Sequence, residues 1–187
     1  MNERLYIQKI LKGDTSAFSY FVDTYQDMAI TIAYRICSNR QDAEDIVQNA
    51  FVKAFHNLHT FRSDSKFSTW FYRIVYNTAI SQIKTSIFNT EFIDYRQMDT
   101  EDSYSDWDII NEIEENEQKA TISKAMDMLP KDESLLLSLY YIDDNPVKEI
   151  VKIVGLSEAN VKVKLHRARK RLGDIIQQFV RQGELQI

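Results

Sequence analysis

The chain is poor in residues that break or bridge regular structure: its 187 residues include four glycines, two prolines and one cysteine. An all-β fold needs turn residues every few positions and is disfavoured by the first two counts. The single cysteine, Cys37, cannot form an internal disulfide, and no Cys and His set stands at zinc spacing. A reducing compartment and no metal are therefore expected. There is no glycine-rich phosphate loop and no Ser, Cys or carboxylate set at recognisable catalytic spacing, which points away from an enzyme and from any cofactor. His56 and His59 are one turn apart but lack a third ligand, and read as surface or loop histidines. Long apolar runs are also missing, and the opening MNERLYIQKILKGD mixes charged with apolar residues. The expectation is a cytoplasmic protein without direct membrane insertion.

What is present is enough apolar material for a genuine core, 44% hydrophobic with 12% aromatic, under a net charge of -5 that is unevenly spread. Between Glu91 and Gln118 stand eleven acids and one base, Arg96. Apolar periodicity fades there although Phe92, Tyr95, Tyr104 and Trp107 remain, so the stretch reads as a flexible linker. Two readings stay open for it: a solvated spacer, or acid and aromatics laid along a basic surface made for nucleic acid. The expected architecture is all-α: two small helical domains, 1–86 and 119–187, joined by the acidic linker 87–118. The second domain is expected to end in a helix-turn-helix.

Periodicity supplies the helices. From Ser16 to Cys37, Phe18, Phe21, Val22, Tyr25, Met28, Ala29, Ile32, Ala33 and Ile36 recur at three- and four-residue spacing and predict one long core helix, with Cys37 buried at its end. A second helix, Gln41 to about Leu58, puts Ile46, Val47, Ala50, Phe51, Ala54, Phe55 and Leu58 on one side. Asp45, Gln48, Asn49, Val52 and His56 fall opposite, as a solvated face or a docking strip. A third covers Phe67 to Lys84, with Phe67, Trp70, Phe71, Ile74, Val75 and Thr78 toward the core and Arg73, Asn77 and Lys84 exposed. Beyond the linker, helices are expected at Ala120 to Leu129 and Asp132 to Ile142, separated by Pro130.

The end of the chain is the most informative part. Asn145 and Pro146 open a short helix, Val147 to Val154, which meets Gly155; Ser157 then caps a helix from Glu158 to Leu172 whose net charge is +5. A helix, a glycine turn and a basic second helix specify a helix-turn-helix, with a solvated bundle helix as the bland alternative. Ala159, Asn160, Lys162, Val163 and Lys164 are placed to reach base edges, and Arg167 and Arg169 to meet phosphate. Ahead of the third helix, the polar loop Phe61, Arg62, Ser63, Asp64, Ser65 and Lys66 can hold an extruded base by stacking and edge hydrogen bonds, although aromatics are more often core.

These segments resemble a known family. The run Asp42-Ala-Glu-Asp-Ile-Val-Gln-Asn-Ala-Phe-Val-Lys-Ala-Phe, then Phe-Ser-Thr-Trp-Phe-Tyr-Arg-Ile-Val-Tyr-Asn from Phe67, Leu129-Pro, and Val161-Lys-Val-Lys-Leu-His-Arg-Ala-Arg-Lys-Arg-Leu are similar to bacterial sigma factors of the extracytoplasmic-function group. The resemblance implies a non-enzymatic transcription initiation factor working with core RNA polymerase and promoter DNA. It places Asp45, Gln48, Asn49 and Val52 on the clamp helices of the beta-prime subunit and includes the beta flap of the polymerase among the partners. Phe61 to Phe67, Arg73, Asn77 and Lys84 then fall at the minus-ten element, and Ala159, Asn160, Lys162, Val163, Lys164, Arg167 and Arg169 at the minus-thirty-five element. The linker would run toward the RNA exit path, and an anti-sigma protein is a further partner that the family allows. An ordinary helix-turn-helix regulator, independent of polymerase, is the competing reading.

Overall fold

The computed structural model describes residues 3–62, 64–83 and 117–182, with side chains in the last span from 121 onward. Residues 87–116 of the expected linker, Ser63 and Lys84 lie outside the described residues, while Glu117 and Gln118, read as the linker's end, begin a helix. Eight α-helices and no strand occur among those described: α1 Glu3–Leu11, α2 Ser19–Cys37, α3 Arg40–Asn57, α4 Phe67–Ile83, α5 Glu117–Asp127, α6 Lys131–Leu137, α7 Val147–Val154 and α8 Glu158–Arg181.

The first half is a bundle of α2, α3 and α4. The residues Phe21, Ile32, Ile36, Ile46, Ala50, Phe71 and Val75 are at most 1% exposed, and each large side chain among them stabilises the fold by about 1.5–3 kcal/mol. Aromatic rings dominate the centre, with Phe21 and Phe67 at 4.2 Å and Phe51 stacked on Phe71 at 4.4 Å. Three boundaries differ from the sequence reading. A short 3-10 turn, Thr15–Phe18, precedes α2, so Phe18 and Val22 are half-buried. Trp70 and Ile74 are half-buried rather than core. Cys37 is half-buried too, its Sγ 3.0 Å from the Asn39 carbonyl oxygen that accepts its proton, because the chain turns there into the cap of α3. In that cap, Asn39 Oδ1 accepts from the Asp42 backbone N–H at 3.1 Å.

In the second half, α5, α6, α7 and α8 enclose Leu135, Leu136, Leu139, Ile150, Ile153, Val161 and Leu165. The helix expected from Asp132 to Ile142 is regular only to Leu137; Ser138–Ile142 widens into a π turn. Ser138 Oγ donates to the Ser134 carbonyl at 2.9 Å, and the Leu139 carbonyl accepts from both the backbone N–H and Nδ2 of Asn145. These bonds supply the partners that a regular ladder would have provided. α8 runs on past Leu172 to Arg181, because Ile176 and Phe179 continue its buried stripe and Lys124 of α5 sits over the Phe179 ring.

The two halves pack on each other, α4 against α7 and α2 against α6 and the π turn. Tyr72 donates to Asp143 Oδ1 at 3.2 Å, and Arg35 is paired with Asp127. Burial and the neighbouring Asp132 push the Tyr76 hydroxyl up to about 12. On this seam Arg35 Nε has no hydrogen-bond partner of good geometry, and Thr69 of the first half meets Glu149 of the second. Such an unpaired group costs about 1–3 kcal/mol.

Candidate nucleic-acid and polymerase interface

Three surfaces carry the candidate residues. The first is the outer strip of α3, where Asp45, Gln48, Asn49 and His56 are exposed and Val52 stands 56% exposed. The inner face is fixed by Ala43, Ile46, Val47, Ala50 and Ala54, all buried, so the rotation of the helix leaves the strip outward without adjustment. His59 Nδ1 lies 3.0 Å from the His56 carbonyl oxygen, and no group of three or more His, Cys, Asp or Glu among the described residues is arranged to hold a metal ion.

The second surface lies around the start of α4. Arg62, Asp64, Lys66, Arg73 and Asn77 are exposed, whereas Phe61 and Ser65 are half-buried. Phe61 meets Phe67 edge-on at 5.6 Å and lies 5.3 Å from Trp70. Phe67 departs from the expectation of DNA contact. It is 1% exposed and packed on Phe21 and Tyr25, because the first turn of α4 points into the bundle. Beside the loop, α3, its C-terminal turn and α4 form an open groove of about 440 Å³, lined by Lys53, Asn57, Thr60, Trp70, Asn77 and Ser81, with Ile74 and Thr78 beneath. Lys53 Nζ donates to Thr78 Oγ1 at 3.2 Å and Thr60 Oγ1 to the Asn57 carbonyl at 2.7 Å, which fixes the rim. Amides, hydroxyls, an ammonium and an indole around one groove suit a flat heterocycle held by its edges. The sequence reading gave Lys53, Asn57 and Thr60 no role and set Trp70 toward the core. The i, i+4 polar pair of Lys53 and Asn57, flanking the apolar stripe of α3, was the available signal.

The third surface is the helix-turn-helix. Gly155 takes φ 74°, a left-handed conformation that costs a side-chain-bearing residue about 1–2 kcal/mol. Ser157 Oγ accepts from the Asn160 backbone N–H at 3.2 Å and so caps α8. Ser157→Ala is expected to lower stability by about 1 kcal/mol, read as a shifted urea midpoint, and to loosen the first turn of α8.

Along α8, Ala159 and Lys162 are exposed and Asn160 and Val163 half-exposed, forming the front of the helix. Lys162 pairs with Glu158 at 2.8 Å on the open surface, a contact easily exchanged for phosphate. The Lys162 ammonium in turn helps to hold Glu158 below the ordinary carboxylate range. Three other candidates turn inward. Lys164 bonds Asp132 of α6 at 2.5 Å with both side chains under 20% exposed. Arg169 donates to the Tyr141 hydroxyl at 2.9 Å and lies over the Tyr140 and Tyr141 rings. Arg167 is half-buried near Glu133, whose carboxyl is pushed up by burial against the opposing pull of Arg171, Lys164 and Arg167. These cations hold α8 to α6 and the π turn. The front strip continues instead through His166 and Lys170, both exposed and following Ala159, Lys162 and Val163 at helical spacing; the sequence reading counted Lys170 in the positive charge of the helix without a DNA contact and did not single out His166.

Comparison with known proteins accounts for the two halves together. The Sigma-70 region 2 family matches residues 21–86, and the Sigma-70, region 4 family matches residues 119–172. The ECF RNA polymerase sigma factor SigW of Bacillus subtilis is 32% identical over 175 residues, covering 89% of this chain and 92% of the relative. Among solved structures, CnrH in complex with the cytosolic domain of CnrY has a TM-score of 0.64 at 20% identity, covering 94% of this chain and 97% of that one. The sigma factor RpoE in complex with the anti-sigma factor NepR from Bartonella quintana has a TM-score of 0.61 at 20% identity, covering 86% and 96%. The exposed strip of α3 thus falls in region 2 and the capped basic helix in region 4, in one chain and in that order, and the chain belongs to the extracytoplasmic-function group of RNA polymerase sigma factors.

Proposed function

We propose that Asp45, Gln48, Asn49 and Val52 dock this sigma factor on the clamp helices of core RNA polymerase, while two further surfaces handle promoter DNA. The observation that carries the reading is the two-sided build of α3, whose inner face is committed to the core and whose outer strip is free for a partner. At the minus-ten element, Phe61, Arg62, Ser63, Asp64, Ser65 and Lys66 capture an unpaired base beside Arg73, Asn77 and Lys84, with Phe67 holding the loop from within. A base presented there is favoured only when the duplex is open, so capture shifts the promoter toward its melted form. At the minus-thirty-five element, Ala159, Asn160, Lys162 and Val163 face the major groove, while Lys164, Arg167 and Arg169 brace the helix and add to its positive field.

The working units are 1–86 and 119–187, with 87–118 as their tether, and the chain performs no covalent step of its own. It acts in the cytoplasm beside the polymerase, with an anti-sigma protein as a further partner class, consistent with the NepR complex of the similar RpoE. No described helix is long and apolar enough to cross a membrane. The region 2 match sets aside the ordinary regulator, whose first half would serve only dimerisation or ligand binding.

The test is reconstitution: core polymerase with this chain should yield run-off transcripts from the chain's own upstream region, and no transcripts would overturn the assignment. Because the whole chain carries a net charge of -5, the free protein should bind promoter duplex weakly in a gel shift. In the holoenzyme, Lys162→Ala should weaken binding across sequences and reduce the slope of log affinity against log salt by about 1, measured by fluorescence anisotropy.

A further inference from the structure

The charges of α8 divide by direction. Lys164, Arg169 and Arg171 reach Asp132, Tyr141 and Glu133, and so fasten the helix to α6 and the π turn. Opposite the buried stripe of Val161, Leu165, Ala168 and Leu172 runs the front strip of Ala159, Val163, His166 and Lys170, with Lys162 at its edge. Its far half is an imidazole and an ammonium, both exposed, and neither has a part in the base contacts proposed above.

Position along the helix decides what these two meet. A helix-turn-helix enters the major groove by the first turn of its second helix. At a rise of about 1.5 Å per residue, His166 stands about 9 Å and Lys170 about 15 Å beyond Asn160, against a groove about 12 Å wide. The base edges lie behind them and the wall of phosphates beside them. A lysine there is a permanent cation, whereas a histidine is one only when protonated, and imidazole ordinarily changes its charge between about pH 5 and 8.

The acids around His166 are distant or engaged elsewhere. On α8, Glu158 and Asp174 are each about two turns away, and Glu158 holds Lys162. Of the elements packed on α8, α6 gives Asp132 to Lys164 and Glu133 to Arg171, α7 gives Glu149 to Lys152, and α5 gives Asp127 to Arg35. Lys148 of α7 acts on Glu158, and Lys124 of α5 sits over the Phe179 ring. In the strip itself Lys162 and Lys170 stand one turn to either side. A phosphate oxygen placed against the imidazole favours its charged form, so the contact takes up a proton.

We infer that His166 and Lys170 are phosphate contacts of α8 and that the His166 contact is made by the imidazolium, so that the grip of this helix on duplex DNA tightens as the pH falls through the imidazole range. The inference rests on the minus-thirty-five reading given above. The sign follows from proton uptake: the contact is complete below that range and is lost as the pH rises through it.

The test uses the holoenzyme on a rhodamine-labelled duplex from the chain's own upstream region, read by fluorescence anisotropy. From about pH 7.5 to about pH 6 the wild type should gain about threefold or more in affinity over His166→Gln. His166→Lys should match the acid affinity of the wild type at both pH values, and His59→Gln, which removes an exposed imidazole outside α8, should keep the gain. Lys170→Ala should weaken binding equally at both and lower the slope of log affinity against log salt by about 1. Equal pH profiles for wild type and His166→Gln, or a gain lost in His59→Gln as well, overturn the proton-linked contact, and unchanged affinity in Lys170→Ala overturns the second anchor. If Lys162→Ala also binds as the wild type does, the front strip is not on DNA and the minus-thirty-five reading falls with the inference.

Discussion

With Asp45→Arg and Gln48→Ala combined, the chain should fold normally and lose promoter-directed transcription almost entirely. Both side chains are exposed on the outer strip of α3, so their replacement leaves Ile46, Val47 and Ala50 packed as before. Reversing one charge in a docking contact and truncating its neighbour removes about 2–5 kcal/mol of binding. At about 1.4 kcal/mol per tenfold, that is roughly thirtyfold to several thousandfold in affinity for the polymerase. Run-off product at limiting protein should fall to the background of core polymerase, while circular dichroism and the urea midpoint stay within error. Transcription at the unmodified level would remove the α3 strip from the docking surface.

Phe71→Ala is expected to act in the opposite way, through stability with no surface change. The ring is fully buried, stacked on Phe51 at 4.4 Å and within 6.3 Å of Tyr25, Phe67 and Tyr72. Its removal deletes apolar contacts and leaves a cavity that the surrounding rings cannot fill, at a cost of about 3–5 kcal/mol. That is a large share of the stability of a domain this size. Urea denaturation followed by far-ultraviolet circular dichroism should show the midpoint falling sharply, with Val52→Ala on the exposed strip as a control within about 0.5 kcal/mol. A loss below about 1 kcal/mol would mean that the aromatic cluster repacks freely.

Helix periods and the order Gly155, Ser157, α8 were legible in the sequence because each is a local signal, carried within one or two turns. The split faces of α3 were legible for the same reason. What escaped depends on segments far apart in the chain. Thr69 and Tyr72 are buried because α7 and Asp143 cover them from the other half, and no pattern within α4 announces that second buried side. Lys164 reads as one more cation of a basic helix until Asp132, on α6, is seen to hold it. Phe67 was set toward the core by the period of α4 and at the minus-ten element by the family resemblance, and its burial follows the period. The basic helix was expected to end at Leu172, but Ile176 and Phe179 are still to bury, and the helix continues through Gly173 to Arg181.

The length of α8 has a mechanical outcome. With 24 residues and a rise of about 1.5 Å each, it is a rod of roughly 36 Å, anchored at one extremity by Phe179 against α5 and bearing Asn160 and Lys162 at the other. Pivoting such a rod by about 5° swings its far tip by about 3 Å, a distance comparable to a whole hydrogen bond. Because Lys164 and Arg169 also fasten this rod to α6 and the π turn midway along it, such a tilt carries those elements with the helix, and the tip keeps its place within the second half.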